Sequence, residues 1–276
     1  MRDDRNFSRQ SFLGEGSDRL LADITVAIAG HGGGGSHVAQ QLAHVGVGRY
    51  RLMDPQKIEA SNLNRLVGAT QKDVDDSVPK VEIVRRTILG IRPWAQVEAA
   101  QANWQDVDHL IKDAHVLFGC VDGYRQRDYL EGAARRFGIP YIDIGMDVAK
   151  IKEGNFAISG QMIMTRPSGP CMRCLGFLTP ENLSQEENRY GDAGINPQVV
   201  WTNGTLASLA VGSFVKLVTP WSEFNETFTW LEVDGNRQTV VPSRQPKYRP
   251  QWNGCPHHGG KDGLGDPFFS LTSLMR

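Results

Sequence analysis

Apolar runs alternate with amphipathic stretches through the first half of the chain. Residues 24–29, Ile-Thr-Val-Ala-Ile-Ala, predict a buried strand, and residues 36–45 carry the spacing of a helix. Residues 49–54 predict a second strand that ends on a carboxylate, and 55–78 a polar, irregular loop. Pro79 then sits in the first turn of a helix over 80–89, where its missing N–H costs nothing. Residues 96–100 predict a weak third strand, 115–120 a strong fourth, 125–137 a helix and 140–145 a fifth strand. Strands that alternate with helices imply a parallel, doubly wound sheet.

The pattern changes near residue 150. Residues 156–164 read as a strand with no helix after it. Residues 176–197, rich in Gly, Pro, Asn and Glu, predict a loop, and 199–218 a long apolar helix packed into the core. A hairpin over 226–233 and 238–241 follows, and from Pro242 the tail is rich in Pro and Gly and predicted to be irregular. The expected fold is α/β: a Rossmann-like, doubly wound, mainly parallel sheet extended by C-terminal antiparallel strands. Residues 1–276 are expected to form one domain, with a nucleotide-binding half at 1–150 and a second half at 151–276. The division is soft, because strands on both sides can share one sheet.

Composition removes several function classes. A net charge of −1 over 276 residues gives no electrostatic support to a nucleic-acid or acidic-membrane partner. No apolar run approaches the ~18 residues of a membrane span. The first five residues, Met-Arg-Asp-Asp-Arg, lack the apolar core of a secretory signal, so a cytoplasmic enzyme is expected. Four cysteines in a chain of this length do not make a disulfide framework.

Between the first strand and its helix lies Gly30-His31-Gly32-Gly33-Gly34-Gly35-Ser36. Strand, glycine turn and helix are the context of a phosphate-binding loop. Glycines allow close backbone approach, and a helix N-terminus offers free N–H groups and a positive dipole end to an anion. Gly30, Gly32 and Gly35 fit G-x-G-x-x-G, and Asp54 lies 19 residues after Gly35, where a carboxylate accepts hydrogen bonds from both ribose hydroxyls. An NAD-dependent oxidoreductase needs little more than this. The chain adds Arg65 after Ser61-Asn62-Leu63-Asn64, Lys80 at a helix start and Asp122 at the end of the fourth strand. Open parallel sheets bind ligands at the carboxyl ends of their strands, so the three are expected to converge on one phosphate chain. Two cations can neutralise a triphosphate, and a carboxylate can hold a hydrated Mg²⁺ on its oxygens. That set suits nucleotidyl transfer from ATP better than hydride transfer.

Cys171-Met172-Arg173-Cys174 and Cys255-Pro256-His257-His258 form a C-x-x-C and C-x-x-H pair. Thiolates and an imidazole in a tetrahedron select Zn²⁺, and four protein ligands leave no open position, so the zinc is expected to be structural. Cys171, Cys174, Cys255 and His258 are the expected ligands, with His257 the less well spaced choice. Cys120, inside an apolar strand, is expected to be a small buried hydrophobe.

The glycine loop with Ser36, Asp54, Ser61-Asn62-Leu63-Asn64-Arg65, Pro79-Lys80-Val81-Glu82 and Cys120-Val121-Asp122 occur in the order of the ThiF/MoeB-type adenylyltransferases. These include the activators of molybdopterin and thiamine sulfur carriers and the adenylation domains of ubiquitin-activating enzymes. The resemblance covers about residues 7–260. It implies adenylation, with ATP and Mg²⁺, of the C-terminal carboxylate of a ubiquitin-like or sulfur-carrier β-grasp protein. It implies that Gly30, Gly32, Gly33, Gly34, Gly35 and Ser36 cradle the nucleotide and that Asp54 holds the ribose. It further implies that Asn62, Arg65 and Lys80 hold the phosphates and that Asp122 holds the metal. Phe7-Ser8-Arg9-Gln10 resembles the segment whose arginine crosses a homodimer into the partner's ATP site, so Arg9 is a candidate arginine finger. A conjugating enzyme is a further implied partner, and adenylation of a short peptide is the alternative within this class.

Two positions depart from the family. Gln56 stands where many relatives carry a second acidic residue, and the fourth zinc ligand is a histidine where cysteine is usual. Many relatives also carry a catalytic cysteine after the first zinc pair. The corresponding loop, Asn188-Arg189-Tyr190-Gly191-Asp192-Ala193-Gly194, has none. The chain is therefore expected to stop at the acyl adenylate, to pass it on directly, or to use a hydroxyl such as Thr179, Ser184 or Thr202.

Overall fold

A computed structural model describes residues 4–189, 197–223, 226–244 and 255–258. Residues 190–194 of the loop without a cysteine, and the tail segments 245–254 and 259–276, lie outside the described residues. The strands are β1 (Thr25–Ala29), β2 (Arg49–Met53), β3 (Gln96–Ala100), β4 (Val116–Gly119), β5 (Tyr141–Lys152), β6 (Asn155–Thr165), β7 (Phe228–Asp234) and β8 (Thr239–Pro242). The helices are α1 (Ser17–Asp23), α2 (Gly33–Val45), α3 (Gln71–Asp75), α4 (Lys80–Ile91), α5 (His109–Lys112), α6 (Tyr124–Arg136), α7 (Pro180–Arg189) and α8 (Val200–Val218).

The described strands form one sheet in the order β3-β2-β1-β4-β5-β6-β7-β8. Neighbours from β3 to β5 pair parallel, and those from β5 to β8 antiparallel. One apolar cluster joins α2, α4 and α8 to one face, through residues such as Val38, Leu42, Val84, Ile88, Leu206 and Phe214. A second covers the other face with Leu110, Ile111, Leu130 and Ala134 of α5 and α6. With both faces covered, β1 and β4 are buried along their whole length, which explains their unbroken apolar runs. The strand order reverses between β1 and β4, so a crevice opens at their carboxyl ends.

Three segments differ from expectation. β5 continues past Gly145 to Lys152, through the division at residue 150, because β6 follows at once and pairs back along it. Residues 104–112 hold a 3-10 turn and α5, both too short to show a period. The region expected to be a loop from 176 holds α7, which begins at Pro180 after Thr179 accepts the Asn182 N–H (3.2 Å). Among the described residues no helix is long and apolar enough to cross a membrane.

Candidate active site

The loop after β1 is shaped by backbone proximity. Gly30 has φ +89°, and a Cβ there would run into the Cys120 carbonyl. A Cβ on Gly35 would run into the carbonyl of Gly30. The glycines let the chain double back tightly over β4. α2 begins at Gly33, and Ser36 N–H is bonded to the Gly32 carbonyl (3.2 Å). The N–H groups of Gly33, Gly34 and Gly35 precede that bond, so a ligand can take them.

Asp54, buried just past β2, accepts the His31 N–H on Oδ2 (2.6 Å) and the Gln56 N–H on Oδ1 (2.8 Å). The carboxylate assigned to the ribose therefore also pins the glycine loop. Lys80 opens α4, is buried, and donates from Nζ to Gln56 Oε1 (2.6 Å). Burial lowers its pKa, Asp54 opposes the shift, Arg65 adds to it, and Glu59 and Asp122 oppose it. Arg65 donates from Nη1 to the Ser61 carbonyl (2.7 Å) and to Asn64 Oδ1 (3.0 Å), while its Nε is buried without a hydrogen-bond partner. Its Cβ lies against Gly33, 3.3 Å from where a Cβ of that glycine would stand. Asp122, exposed past β4, accepts from Gln198 Nε2 (3.3 Å).

Not every expected ligand faces the crevice with its side chain. The Ser36 hydroxyl donates to the Gly33 carbonyl and accepts the Val67 N–H (3.0 Å), so it braces the 61–70 segment against α2. Asn62 is buried, and its Oδ1 accepts the Glu59 N–H (3.1 Å), which closes the 3-10 turn that presents Arg65. Arg9 is exposed within the 3-10 segment Asp4–Leu13.

Sequence reasoning passed over three residues here. His31 is fully buried, and its ring lies against the Ile28 backbone, whose hydrogen bond favours the charged form. Burial lowers its pKa to about 4, against the attraction of Asp54 and with the repulsion of Lys80. Asn203 of α8 donates to the Val199 carbonyl (3.0 Å) and packs its amide against Gly33. Gln198 holds Asp122. The available signals were a histidine in a glycine run and an asparagine in an apolar helix.

The cysteines meet on the other side of the sheet. Cys171 Sγ lies 3.5 Å from both Cys174 Sγ and Cys255 Sγ. These three and His258 keep their ligand atoms within 4.8 Å of one another. Thiolates bound ~2.3 Å from a tetrahedral zinc stand about 3.8 Å apart, so the donor set fits that ion. His257 turns instead to Asp128 (3.2 Å) and Glu131 (3.5 Å), and although burial opposes its charge, these carboxylates raise its pKa to about 9. Glu131, Cys171 and His257 make a second possible grouping, poorer in sulfur. Cys120 has its thiol pKa raised by burial, which removes it as a nucleophile. Thr179 caps α7, Ser184 donates to the Glu181 carbonyl (3.0 Å), and the Thr202 hydroxyl is buried without a partner.

The SAMP-activating enzyme E1 of Haloferax volcanii is 32% identical over 169 residues, 60% of this chain and 58% of that protein. The sulfur carrier protein ThiS adenylyltransferase of Escherichia coli is 29% identical over 216 residues, 75% of this chain and 80% of that protein. The crystal structure of E. coli MccB with ATP superposes with a TM-score of 0.72 at 21% identity, covering 93% of this chain and 75% of that one, and so shares the fold. The ThiF family model matches residues 4–256, and the chain is accordingly a member of the ThiF family and an adenylyltransferase.

Proposed function

We propose that the enzyme activates the C-terminal carboxylate of a ubiquitin-like or sulfur-carrier protein as an acyl adenylate. The names of the haloarchaeal and thiamine-pathway relatives support a carrier of this kind over a short peptide. The observation that carries the reading is that Arg65 packs on Gly33 at the open end of α2, Asn64 and Asp122 meet on Gln198, and Lys80 is tied through Gln56 to Asp54. A dehydrogenase would leave these three idle. A carboxylate oxygen of the carrier attacks the α-phosphorus of ATP. The bond from that phosphorus to the bridging oxygen breaks, and pyrophosphate leaves with the electron pair. The N–H groups of α2, Lys80 and Arg65 bind the phosphates and stabilise charge at the reacting phosphorus, and Asp54 orients the ribose. Asp122 would hold Mg²⁺, which neutralises phosphate charge when bound.

Cys171, Cys174, Cys255 and His258 would hold Zn²⁺, a closed set that fixes the chain around Cys255 to the knuckle after β6. Arg9 is assigned to the partner's site in a homodimer, and the enzyme to the cytoplasm. The adenylate is handed directly to a second protein, such as a conjugating enzyme. Thr179 and Ser184 are spent on helix contacts and Thr202 is sealed from solvent, so none is placed to form an oxyester. The test is ATP–pyrophosphate exchange with small β-grasp proteins from the same genome that end in Gly-Gly. Exchange should depend on the carrier and vanish in Asp122→Ala with Arg65→Ala. Exchange that survives the double substitution overturns the site.

A further inference from the structure

Gln56 is held twice by its backbone and once by its side chain. Its N–H goes to Asp54 Oδ1 (2.8 Å), its carbonyl accepts the N–H of Lys80 (3.0 Å), and its Oε1 accepts Lys80 Nζ (2.6 Å). The next residues lock the arrangement, with a bridge between Lys57 and Pro79 and the Ile58 N–H on the Val78 carbonyl (2.9 Å). One residue thus spans the gap between the ribose carboxylate and the ammonium at the start of α4. We propose that Gln56 is a positioning residue: it holds Lys80 in place as an uncharged partner and so presents the ammonium, with its charge unspent, to the nucleotide's phosphates.

The chemistry of the partner is what matters. A buried ammonium must be hydrogen-bonded or it destabilises the fold. An amide oxygen supplies the bond without cancelling the charge. A carboxylate at the same 2.6 Å would form an ion pair that the phosphates must break. An apolar side chain would leave Nζ to wander among Asp54, Glu59 and Asp122, the acids around it. Gln56 itself is exposed, so replacing it does not disturb the core.

This inference rests on the ATP reading above, and the experiment separates the two. Calorimetric titrations with Mg·ATP and with adenosine are run on the wild-type enzyme, Gln56→Leu, Gln56→Glu, Lys80→Met and Gln56→Leu with Lys80→Met. Gln56→Leu should weaken Mg·ATP about fivefold and Gln56→Glu about tenfold or more, with adenosine unchanged. In the Lys80→Met background, Gln56→Leu should cost less than about twofold, because its effect passes through the lysine. The melting midpoint should fall slightly in Gln56→Leu, which strips the buried ammonium of its bond, and hold steady or rise in both variants that carry Lys80→Met. Equal ATP affinity in Gln56→Leu, an equal loss with or without Lys80, or a parallel loss of adenosine overturns the positioning role. A wild-type enzyme that binds no Mg·ATP overturns the site itself, and this inference with it.

Discussion

Beside the Cys171 knuckle buried acids are paired with cations, whereas beside the glycine loop the buried Lys80 ammonium has a neutral amide as its hydrogen-bond partner. Glu131 of α6 is fully buried, yet it accepts from Thr165 Oγ1 (2.7 Å) and the Met172 N–H (2.9 Å) and lies 3.6 Å from Arg135. Arg135 reaches the carbonyls of Pro167 and Gly169 (3.2 and 3.0 Å). Asp128 takes both arms of Arg173 and sits beside His257. Around the loop, Lys80 has one neutral amide for a partner and Arg65 Nε has none. Unpaired buried polar atoms cost stability in a resting fold. They occur on both sides, at Arg135 Nε and His257 Nδ1 as at Arg65 Nε, so the difference lies in charge: beside the knuckle buried acids meet cations, whereas beside the loop a buried ammonium rests on a neutral partner, where an anionic ligand can add the counter-charge.

The sharpest way to break this contrast is to open the closed side. Cys255→Ser removes one thiolate of the proposed zinc set and leaves the active-site crevice untouched. Structural zinc contributes folding free energy directly, so a loss of about 4 kcal/mol is expected, or roughly 10 °C in melting midpoint for a chain of this size. Elemental analysis should show one zinc per wild-type chain and none in the variant. A wild-type chain without zinc, or a variant that melts with the wild type, would place the thiols outside any metal site.

The open side should behave in the opposite way. Lys80→Met removes a buried ammonium that the fold holds by one amide and that the proposed mechanism uses on the phosphates. Carrier-dependent pyrophosphate exchange should fall about 10²-fold, the size of one lost electrostatic contact to the reacting centre. The melting midpoint should hold steady or rise. The lysine also predicts a pH limb. Its ammonium is present below its pKa, and burial places that pKa below the ordinary lysine value. ATP affinity should therefore weaken as pH rises toward that value, earlier than for an exposed lysine, and Lys80→Met should flatten the limb. A large fall in melting midpoint would show Lys80 to be structural and erase the contrast.

The two regions were also unequally legible in the sequence. Motif spacing picks out Gly30, Asp54 and Asp122 because each follows a strand that periodicity locates, and Lys80 because proline marks the helix start before it, whereas Arg65 stands out by its motif alone. The proposed knuckle ligands stand out equally by their C-x-x-C and C-x-x-H spacing. What stayed hidden is the polar scaffold behind them. Asp128, Glu131 and Arg135 lie on α6 as an ordinary charged helix face, and nothing local says that the face turns inward against Met172 and Thr165. α7 was hidden because its Gly-, Pro- and Asn-rich surroundings mimic a loop. Ser36 and Asn62 show the converse: their motif positions are plain in the sequence, but their side chains brace neighbouring turns, which spacing cannot reveal.

His31 gives the smallest test. The imidazole is sealed in, with its pKa lowered from 6.5 to about 4 by burial, so the folded protein takes up its proton less readily than the unfolded chain. Stability from this group is full above pH 6.5 and is lost as pH falls from there toward 4. Between pH 7 and pH 5 the loss should be about 2 kcal/mol. His31→Leu keeps the Asp54 bond, which uses only the backbone N–H, and removes the buried ring. Urea titrations at the two pH values should show the variant holding its stability where the wild type loses it. Equal acid sensitivity in the two proteins would mean that another group carries the acid limb. Exchange activity then sharpens the contrast. If the leucine variant gains acid stability and keeps exchange, His31 is a buried group that the nucleotide does not use. If exchange falls while Asp54 still binds ribose, the imidazole joins Lys80 and Arg65 among the groups whose open valences the substrate fills.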